Sequence, residues 1–371
     1  MNAPRLTPPA TKPVRSVARV TADWYVAAAS SELGRRPKAV TILGVPLVLF
    51  RDGRGRAAAL LDRCPHRNVP LSLGKVRRGE LQCAYHGWRF AGDGRCTAVP
   101  GLDTERDTRS AEGRCAPAFP CREQDGYVWV WPEAMETPGA TPDRNPFPFP
   151  HLDDPRYATV RADLPMEGSL HATAENALDV PHTAFLHAGL FRSDAGARRP
   201  IEVIVRRWHD RVEAEYVGEP RPSGLFGRLL APSGGVVEHW DRFILPCIAQ
   251  VEYRIGEDAH VVATTALTPV HDDLTHLWGA VSLRMSFLPD GRVAEIAGNL
   301  LKPLALRILK QDADMLREQT RNVLRFGGER FTSTEIDVLG PHILRLLRQA
   351  ERGRAAERAE PEEQRLIMRV G

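Results

Sequence analysis

Two short Cys/His pairs constrain this sequence more than any other feature. Cys64 and His66, one residue apart, are followed after sixteen residues by Cys83 and His86, two residues apart. Two thiolates and two imidazoles in separate pairs indicate a metal site, although four unrelated residues of a β-rich domain are the simpler alternative. Zinc is the competing metal, but the usual zinc-finger order places both cysteines in one pair and both histidines in the other. Here each pair contains one cysteine and one histidine.

The mixed pairing predicts a Rieske [2Fe-2S] cluster, in which two thiolates hold one iron and two imidazoles hold the other. Cys64 and Cys83 are the predicted ligands of the first iron, and His66 and His86 are those of the second. Imidazole ligands make the cluster less negative than four thiolates do, which raises its reduction potential and suits it to relaying electrons. The remaining cysteines are interpreted as small core side chains without a metal: Cys96, Cys115, Cys121 and Cys247.

A second metal motif lies further along the chain. His182 and His187 are five residues apart, and Asp179 precedes His182 by about one helical turn. Pro181 permits a local break in the helix predicted there. Two neutral imidazoles and one carboxylate form the facial triad that binds Fe(II) and leaves coordination positions open for dioxygen. Two histidines on the surface of a helix are the alternative.

The segment CPHRNVPLSLGKVRRGELQCAYHGWRF resembles the Rieske domain of the non-haem iron oxygenases. Respiratory Rieske proteins carry an extra cysteine in each loop, where this sequence has Val69 and Tyr85. The Asp-x2-His-x4-His spacing resembles the iron motif of the same oxygenases, and this resemblance assigns iron binding to His182 and His187. In pattern, the chain is most similar to the vanillate and dicamba O-demethylase group.

The resemblance also implies roles for residues beside the iron. Asp179 would not bind the iron; it would bridge His182 to His86 of a neighbouring subunit and carry an electron across that interface. A hydrogen-bonded carboxylate can do this while it fixes the imidazole tautomer. Asn176 would lie close to the iron, and Glu175 is a weaker candidate for the same place.

By the same resemblance, the carboxylate ligand comes from a late helix that carries an acid pair followed by a glutamate. The segment LKQDADMLREQ fits this place. Asp312 is the predicted ligand, because Gln311 and Asp312 with Glu318 six residues later align best, although Gln311 replaces the first acid. Asp314 is the second choice. Either acid could instead form exposed ion pairs with basic neighbours on the helix.

The predicted fold class is α+β. An N-terminal all-β Rieske domain precedes a catalytic domain of the helix-grip (START-like) type, with an antiparallel sheet and helices. The predicted boundaries are a flexible arm at 1–21, the Rieske domain at 22–135, a Pro-rich linker at 136–155, the iron domain at 156–350 and a charged, solvated tail at 351–371.

Patterning predicts the elements within these domains. In the first domain, the β-rich run 39–50 precedes a turn at 51–56 and a returning strand, a second turn lies at 92–94 between strand-like flanks, and an aromatic, β-prone segment follows at 125–133. In the second domain, residues 168–187 are helix-like, and strand-like alternation covers residues around 200–217, 239–255, 260–269 and 276–288. Helices are predicted at 293–326 and 336–349.

The resemblance implies an oxygenase that hydroxylates or O-demethylates a hydrophobic, aromatic small molecule with dioxygen. Electrons would come from NAD(P)H through a separate reductase or ferredoxin, since no GxGxxG nucleotide fingerprint is present. Bridging through Asp179 implies a head-to-tail homotrimer. A sterol or other polycyclic lipid is the alternative substrate. A pure electron carrier would not need His182 and His187, and a lipid-binding module would not need the cluster ligands.

Composition adds limits of its own. The formal charge of +3 is too near balance to indicate a nucleic-acid partner. No apolar run is long enough for a membrane-spanning helix, and the N-terminal segment lacks the apolar core of a secretory signal. Six cysteines in 371 residues are too sparse for a disulfide framework, which favours a reducing, cytoplasmic location.

Overall fold

A computed structural model describes residues 15–102, 112–134, 142–187, 199–219, 237–286, 292–353 and 360–370 of the chain, except for the side chains of residues 292–301 and 370. The chain divides into two compact units. One comprises residues 21–148, and the other comprises residues 149–370 together with residues 15–20. Among the described residues, no helix is long and apolar enough to cross a membrane.

The first unit is built from eleven described strands in three small antiparallel sheets. They are β1 (Tyr25–Ala29), β2 (Lys38–Ile42), β3 (Val45–Arg51), β4 (Ala57–Leu61), β5 (Lys75–Arg77), β6 (Glu80–Gln82), β7 (Arg89–Phe90), β8 (Cys96–Ala98), β9 (Ala118–Phe119), β10 (Cys121–Gln124) and β11 (Tyr127–Val130). The strand orders are β1-β11-β10, β2-β3-β4-β9 and β5-β6-β7-β8. The all-β prediction for this domain is confirmed.

The apolar run 39–50 forms a hairpin where the sequence predicted one strand. Leu43 and Gly44 both adopt positive φ, at 52° and 79°, and join β2 to β3. Two consecutive residues of positive φ match the twist of a two-residue hairpin turn. Leu43 lacks the usual turn chemistry, so the pattern of apolar residues concealed this turn.

The second unit contains one antiparallel sheet of eight strands. They are β12 (Ala158–Met166), β13 (Arg199–Arg207), β14 (Arg211–Val217), β15 (Val237–Ile244), β16 (Ile248–Ile255), β17 (Ala259–His271), β18 (Leu274–Met285) and β19 (Glu362–Val370). Their order is β12-β18-β17-β16-β15-β14-β13-β19. The segments predicted at 200–217 and 239–255 each form two paired strands.

Three helices accompany this sheet: α1 (Leu170–Ala177), α2 (Arg292–Arg325) and α3 (Gly340–Glu351). Ser169 caps α1, because its hydroxyl accepts the Ala172 backbone N–H at 3.1 Å. The helix-like stretch 168–187 is interrupted: α1 ends at Ala177, and Pro181 begins a short 3-10 helix, Pro181–Ala184. The expected effect of Pro181 and the antiparallel sheet with helices are therefore both observed.

The helices cover one face of the sheet. The Thr275 hydroxyl on β18 donates to the Gly168 carbonyl just before α1, at 3.0 Å. On β13, Arg207 donates to His342 of α3, at 3.2 Å. Side chains of the same parity as these two residues therefore point toward the helices.

The N-terminal segment differs from the predicted flexible arm in its described part. Val17 and Val20 are buried, and the Ser16 N–H donates to the Glu329 carboxylate at 2.8 Å. Arg19 binds Asp272 through two of its nitrogens. Apolar burial and these charged hydrogen bonds fix residues 15–20 to the second unit, whereas residues 1–14 lie outside the described residues.

The C-terminal segment also differs from its prediction as a solvated tail. Residues 362–370 form β19, which pairs with β13 at the edge of the sheet. Met368 on this strand is buried, whereas Ile367 next to it is 68% exposed. The many charges near residue 360 concealed a strand whose buried face carries few apolar residues. Residues 354–359 of the predicted tail lie outside the described residues.

Candidate metal centres

Both Cys/His loops of the first unit have the same backbone design. The Cys64 N–H donates to the carbonyl five residues later, Val69, at 2.9 Å, and Asn68 has a φ of 60°. The Cys83 N–H likewise donates to Trp88, at 2.8 Å, and Gly87 has a φ of 72°. Each loop is thus a tight turn that opens with a cysteine and closes through a residue of positive φ.

The two loops bring four potential ligands together. Cys64 and Cys83 are buried in the hydrophobic core of the unit, 2% and 3% exposed. Burial, together with the neighbouring Cys83, raises the pKa of the Cys64 thiol to about 11. The imidazole rings of His66 and His86 lie 4.4 Å apart, and the Trp88 ring stacks on His66 at 4.8 Å.

These four residues fit a [2Fe-2S] cluster. All six cysteines are free thiols, so both thiolates are available. Nδ1 of His66 is buried and has no hydrogen-bond partner among the described residues. Partial burial, His86 and Arg67 lower the pKa of His66, which favours the neutral imidazole that metals require. Two adjacent buried thiols and a buried imidazole nitrogen without a protein partner are donors that suit the two irons of such a cluster.

In the second unit, three side chains converge from two segments. His182 lies in the short 3-10 helix, His187 follows it, and Asp312 lies on α2. The Asp312 Oδ1 atom is 3.1 Å from His187 Nε2 and 3.5 Å from His182 Nε2. The two Nε2 atoms are 3.3 Å apart. In the part of the chain that the structure describes, this is the one group of three or more potential ligands with mutually close ligand atoms.

The other ring nitrogens of both histidines have partners. His182 Nδ1 donates to the Asp179 carboxylate at 3.2 Å, and His187 Nδ1 donates to the Gln311 side-chain carbonyl at 3.0 Å. Their protons are thereby placed on Nδ1, so both Nε2 atoms are left as lone-pair donors. Asp179 also accepts the backbone N–H of His182, at 3.0 Å, which fixes the turn between α1 and the 3-10 helix.

This arrangement fits a divalent metal of the iron type. Two imidazole nitrogens and one carboxylate oxygen about 3 Å apart match neighbouring ligands placed about 2.1 Å from one ion. Asp312 Oδ1 is buried without a hydrogen bond, although both Nε2 atoms are near it. Burial raises the pKa of Asp312, but His182 and His187 outweigh this and lower it, so the carboxylate is ionised. Three converging lone pairs are stable together only around a cation.

The pKa of His182 reflects the same concentration of acceptors. Burial lowers it, but the nearby carboxylates of Asp179 and Asp312 outweigh burial and raise the pKa to about 9. Without a metal, the site therefore attracts a proton, and a bound divalent cation would displace that proton.

Comparison with known proteins assigns both parts of the chain to known domain families. Residues 23–120 match the Rieske [2Fe-2S] domain, and residues 166–353, about half of the chain, match the vanillate O-demethylase oxygenase C-terminal domain. The chain belongs to the vanillate O-demethylase family of Rieske oxygenase components. The first match spans both Cys/His pairs, and the second spans His182, His187 and Asp312.

Individual relatives agree with this membership. The dicamba O-demethylase oxygenase component of Stenotrophomonas maltophilia is 37% identical over 220 residues, 59% of this chain but less than two thirds (62%) of that relative. The chloroacetanilide N-alkylformylase oxygenase component of Rhizorhabdus wittichii is 32% identical over 85% of this chain and 90% of that relative. A vanillate O-demethylase oxygenase subunit of Pseudomonas sp. strain HR199 is 28% identical over 87% of this chain and 92% of its own length.

A solved structure supports the fold of this chain. The crystal structure of dicamba monooxygenase bound to dicamba superposes with a TM-score of 0.72 at 28% identity. The match covers 92% of this chain and all of that chain. The predicted combination of a Rieske domain with an antiparallel, helix-covered second domain is confirmed.

The remaining candidates lie in different surroundings in this oxygenase component. Asp314 forms exposed ion pairs with Lys310 at 2.9 Å and Arg317 at 2.8 Å, and it is not part of the ligand group. The Asn176 carbonyl accepts the Asp179 N–H near the end of α1, so its role at the iron stays a prediction. Glu175 packs against the first residue of α3, where a Cβ on Gly340 would lie 1.9 Å from its carboxylate.

Two contacts of the sites were not predicted from the sequence. Trp88, two residues after His86 in the second loop, stacks on His66 of the first loop. Gln311 was noted only as replacing an acid, yet it holds His187. The position of Gln311 directly before Asp312 was the signal available. Adjacent side chains on a helix point in directions about 100° apart, so this position alone did not show that Gln311 also faces the site.

Proposed function

We propose that the chain is the oxygenase component of a multicomponent system that removes the methyl group from an aromatic methyl ether. The observation that carries the proposal is the presence in one chain of two complete donor sets. One is the thiol and imidazole pairs of Cys64, Cys83, His66 and His86, and the other is the group of His182, His187 and Asp312. A relay of electrons and a site for dioxygen are both required for such a reaction.

In this proposal, Cys64 and Cys83 hold one iron of the cluster, His66 and His86 hold the other, and the second-unit group holds the mononuclear Fe(II). When bound, the irons supply electron storage and dioxygen activation. Overall, the ether, dioxygen, two electrons and two protons give a hemiacetal and water. The hemiacetal then breaks its C–O bond, releasing formaldehyde and the phenol. NAD(P)H supplies the electrons.

No described segment provides a nucleotide fingerprint, so a separate reductase or ferredoxin delivers the electrons. This agrees with the names of the relatives, which are oxygenase components or subunits. A cytoplasmic location, expected from the sparse and free cysteines, belongs to the same proposal.

Asp179 connects the two centres in a head-to-tail homotrimer. Its carboxylate holds Nδ1 of His182 and is 30% exposed, so one side of it remains accessible. We propose that His86 of a second copy of this chain docks there, which would place one hydrogen-bonded carboxylate between the cluster and the iron. Asn176, one turn earlier on α1, is proposed to lie beside the iron.

The helix-covered face of the sheet favours a hydrophobic substrate. On β16, β17 and β18, this face carries partly exposed side chains that are mostly small and apolar: Val251, Tyr253, Val261, Ala263, Thr265 and Val281. Partial exposure beneath the helices supports a cavity lined by these residues, with Tyr253 and Thr265 as its polar members. An aromatic ring carrying one or two hydrogen-bonding groups suits such a lining.

The test is substrate-dependent oxygen uptake by the purified, iron-loaded protein with a reductase and NADH. Methoxybenzenes and methoxybenzoates are compared with a sterol, the alternative substrate from the sequence. Formaldehyde release equal to the phenol formed, absent from Asp312→Ala, is the expected result. Sterol oxidation without turnover of any methoxy-aromatic would overturn the substrate class. A protein without acid-labile sulfide would overturn the oxygenase itself.

One second candidate function is specifically favoured. The chloroacetanilide N-alkylformylase component aligns over 85% of this chain, and its name describes removal of an N-alkyl group. Oxidation of a carbon bound to nitrogen follows the same stoichiometry, and the product collapses to an amine or amide and an aldehyde. Including N-methylated and N-alkylated anilides in the uptake screen separates the two reactions.

A further inference from the structure

Gln311 distinguishes the two histidines of the iron site. His182 donates its Nδ1 proton to a carboxylate, Asp179, at 3.2 Å. His187 donates its Nδ1 proton to a neutral amide carbonyl, Gln311 Oε1, at 3.0 Å. The two imidazoles therefore differ in the charge of their Nδ1 partners: that of His182 is negative and that of His187 is neutral. Both rings present Nε2 to Asp312.

The contact with Gln311 decides which nitrogen of His187 carries the proton. An amide oxygen accepts hydrogen bonds and cannot donate them, so Nδ1 must carry the proton and Nε2 keeps its lone pair. If the amide were turned by 180°, its NH2 group would face Nδ1 and force the proton onto Nε2. That tautomer could not bind a metal through Nε2. His187 is only 2% exposed, so water is poorly placed to replace Gln311 as its partner.

We propose that Gln311 is the positioning residue of His187, fixing its tautomer and ring orientation through a neutral hydrogen bond and thereby setting the metal affinity of the site. This inference rests on the iron site of the proposed function. A neutral partner withdraws less of the Nδ1 proton than a carboxylate does, so His187 is the weaker electron donor of the two histidines.

The arrangement on α2 separates this role from an ordinary helix contact. Gln311 and Asp312 are adjacent, so a single turn of α2 supplies both a ligand and the partner of another ligand. Asp314, two residues further on, forms ion pairs with Lys310 and Arg317 on the exposed side. It is a matched control, since it shares the helix and lies outside the ligand group.

The experiment titrates Co(II) into protein whose mononuclear site has been emptied with a chelator while the cluster is retained. Affinity and the visible absorption of bound Co(II) are both recorded. Wild type and Asp314→Asn should bind alike. Gln311→Leu should bind about 10- to 100-fold more weakly, because His187 can then adopt either tautomer. Gln311→Glu should recover most of the affinity but shift the Co(II) spectrum, because an anionic partner makes His187 a stronger donor.

Equal affinity and spectra for wild type and Gln311→Leu would overturn the proposal. So would a Gln311→Glu affinity as low as that of Gln311→Leu, because glutamate still accepts the Nδ1 proton. Circular dichroism and the cluster absorbance show that each variant is folded. Asp312→Ala tests the iron site itself. If this variant binds Co(II) as tightly as wild type, the iron site of the proposed function is wrong, and not only the role of Gln311.

Discussion

A buried histidine in the second unit should make the stability of the protein fall as the pH rises above neutrality. His239 on β15 is 1% exposed; its Nδ1 donates to Glu219 at 2.6 Å and its Nε2 to Asp241 at 2.9 Å. The rings of Tyr216 and Tyr253 stack on its two faces, at 4.4 and 4.0 Å. Both nitrogens can donate only when the ring is an imidazolium ion.

The size of the effect follows from the shift of the pKa. Burial lowers the pKa of His239, but Asp241 and Glu219 outweigh it and raise the pKa from 6.5 to about 9. At roughly 1.4 kcal/mol per pH unit, the protonated ring stabilises the folded state by about 3 kcal/mol. Because the folded-state pKa is the higher one, this contribution is complete below pH 6.5, declines between pH 6.5 and 9, and is lost above pH 9.

The assay measures the free energy of unfolding in urea at pH 6 and at pH 9.5, followed by far-ultraviolet circular dichroism. Wild type is compared with His239→Gln, which keeps a polar side chain but cannot become charged. The stability difference between the two proteins should shrink by about 3 kcal/mol from pH 6 to pH 9.5. If the difference in unfolding free energy between the two proteins is the same at both pH values, His239 is not charged in the folded protein, however large that difference is.

Further predictions concern the metal centres and the edge of the sheet. Asp312→Ala should lower the iron content from about three to about two per chain with the acid-labile sulfide unchanged, whereas Asp314→Asn should keep all three. Asp179→Asn should keep both centres and slow substrate-coupled turnover by orders of magnitude; turnover near that of wild type would remove the bridge. Met368→Asp should cost about 3 kcal/mol of unfolding free energy, and Ile367→Asp on the same strand less than about 0.5 kcal/mol.

The sequence predicted elements best where the information is local. Each Cys/His loop closes through backbone hydrogen bonds within five residues, and its fixed spacing is visible in the sequence. The turn at Gly92-Asp93-Gly94 and its flanking strands β7 and β8 were predicted for the same reason. The helix break near Pro181 was predicted for the same reason, because proline disrupts a helix within about one turn of its own position.

Elements whose partners are distant in sequence were missed or assigned only by resemblance. Strand β19 pairs with β13, more than 150 residues earlier, and its own sequence is dominated by charge. Asp312 and Gln311 contact His187, which lies about 125 residues earlier in the sequence. The sequence near these residues therefore gives no sign of the contact. The choice between Asp312 and Asp314 depended on which side of α2 faces the 3-10 helix, and only tertiary packing decides that.

The difference between local and sequence-distant contacts also predicts how the cluster and the iron site respond when the protein is destabilised. The cluster loops are closed by their own backbone and anchored by cysteines within one hydrophobic core, so they should survive changes elsewhere in the chain. The iron site depends on the packing of α2 against residues 179–187, and it brings together three groups that repel or compete for a proton when no cation is bound. Loosening α2 therefore relieves an unfavourable arrangement in the metal-free protein. Mild destabilisation should consequently release the mononuclear iron before the cluster, and bound metal should stabilise the second unit more than the first.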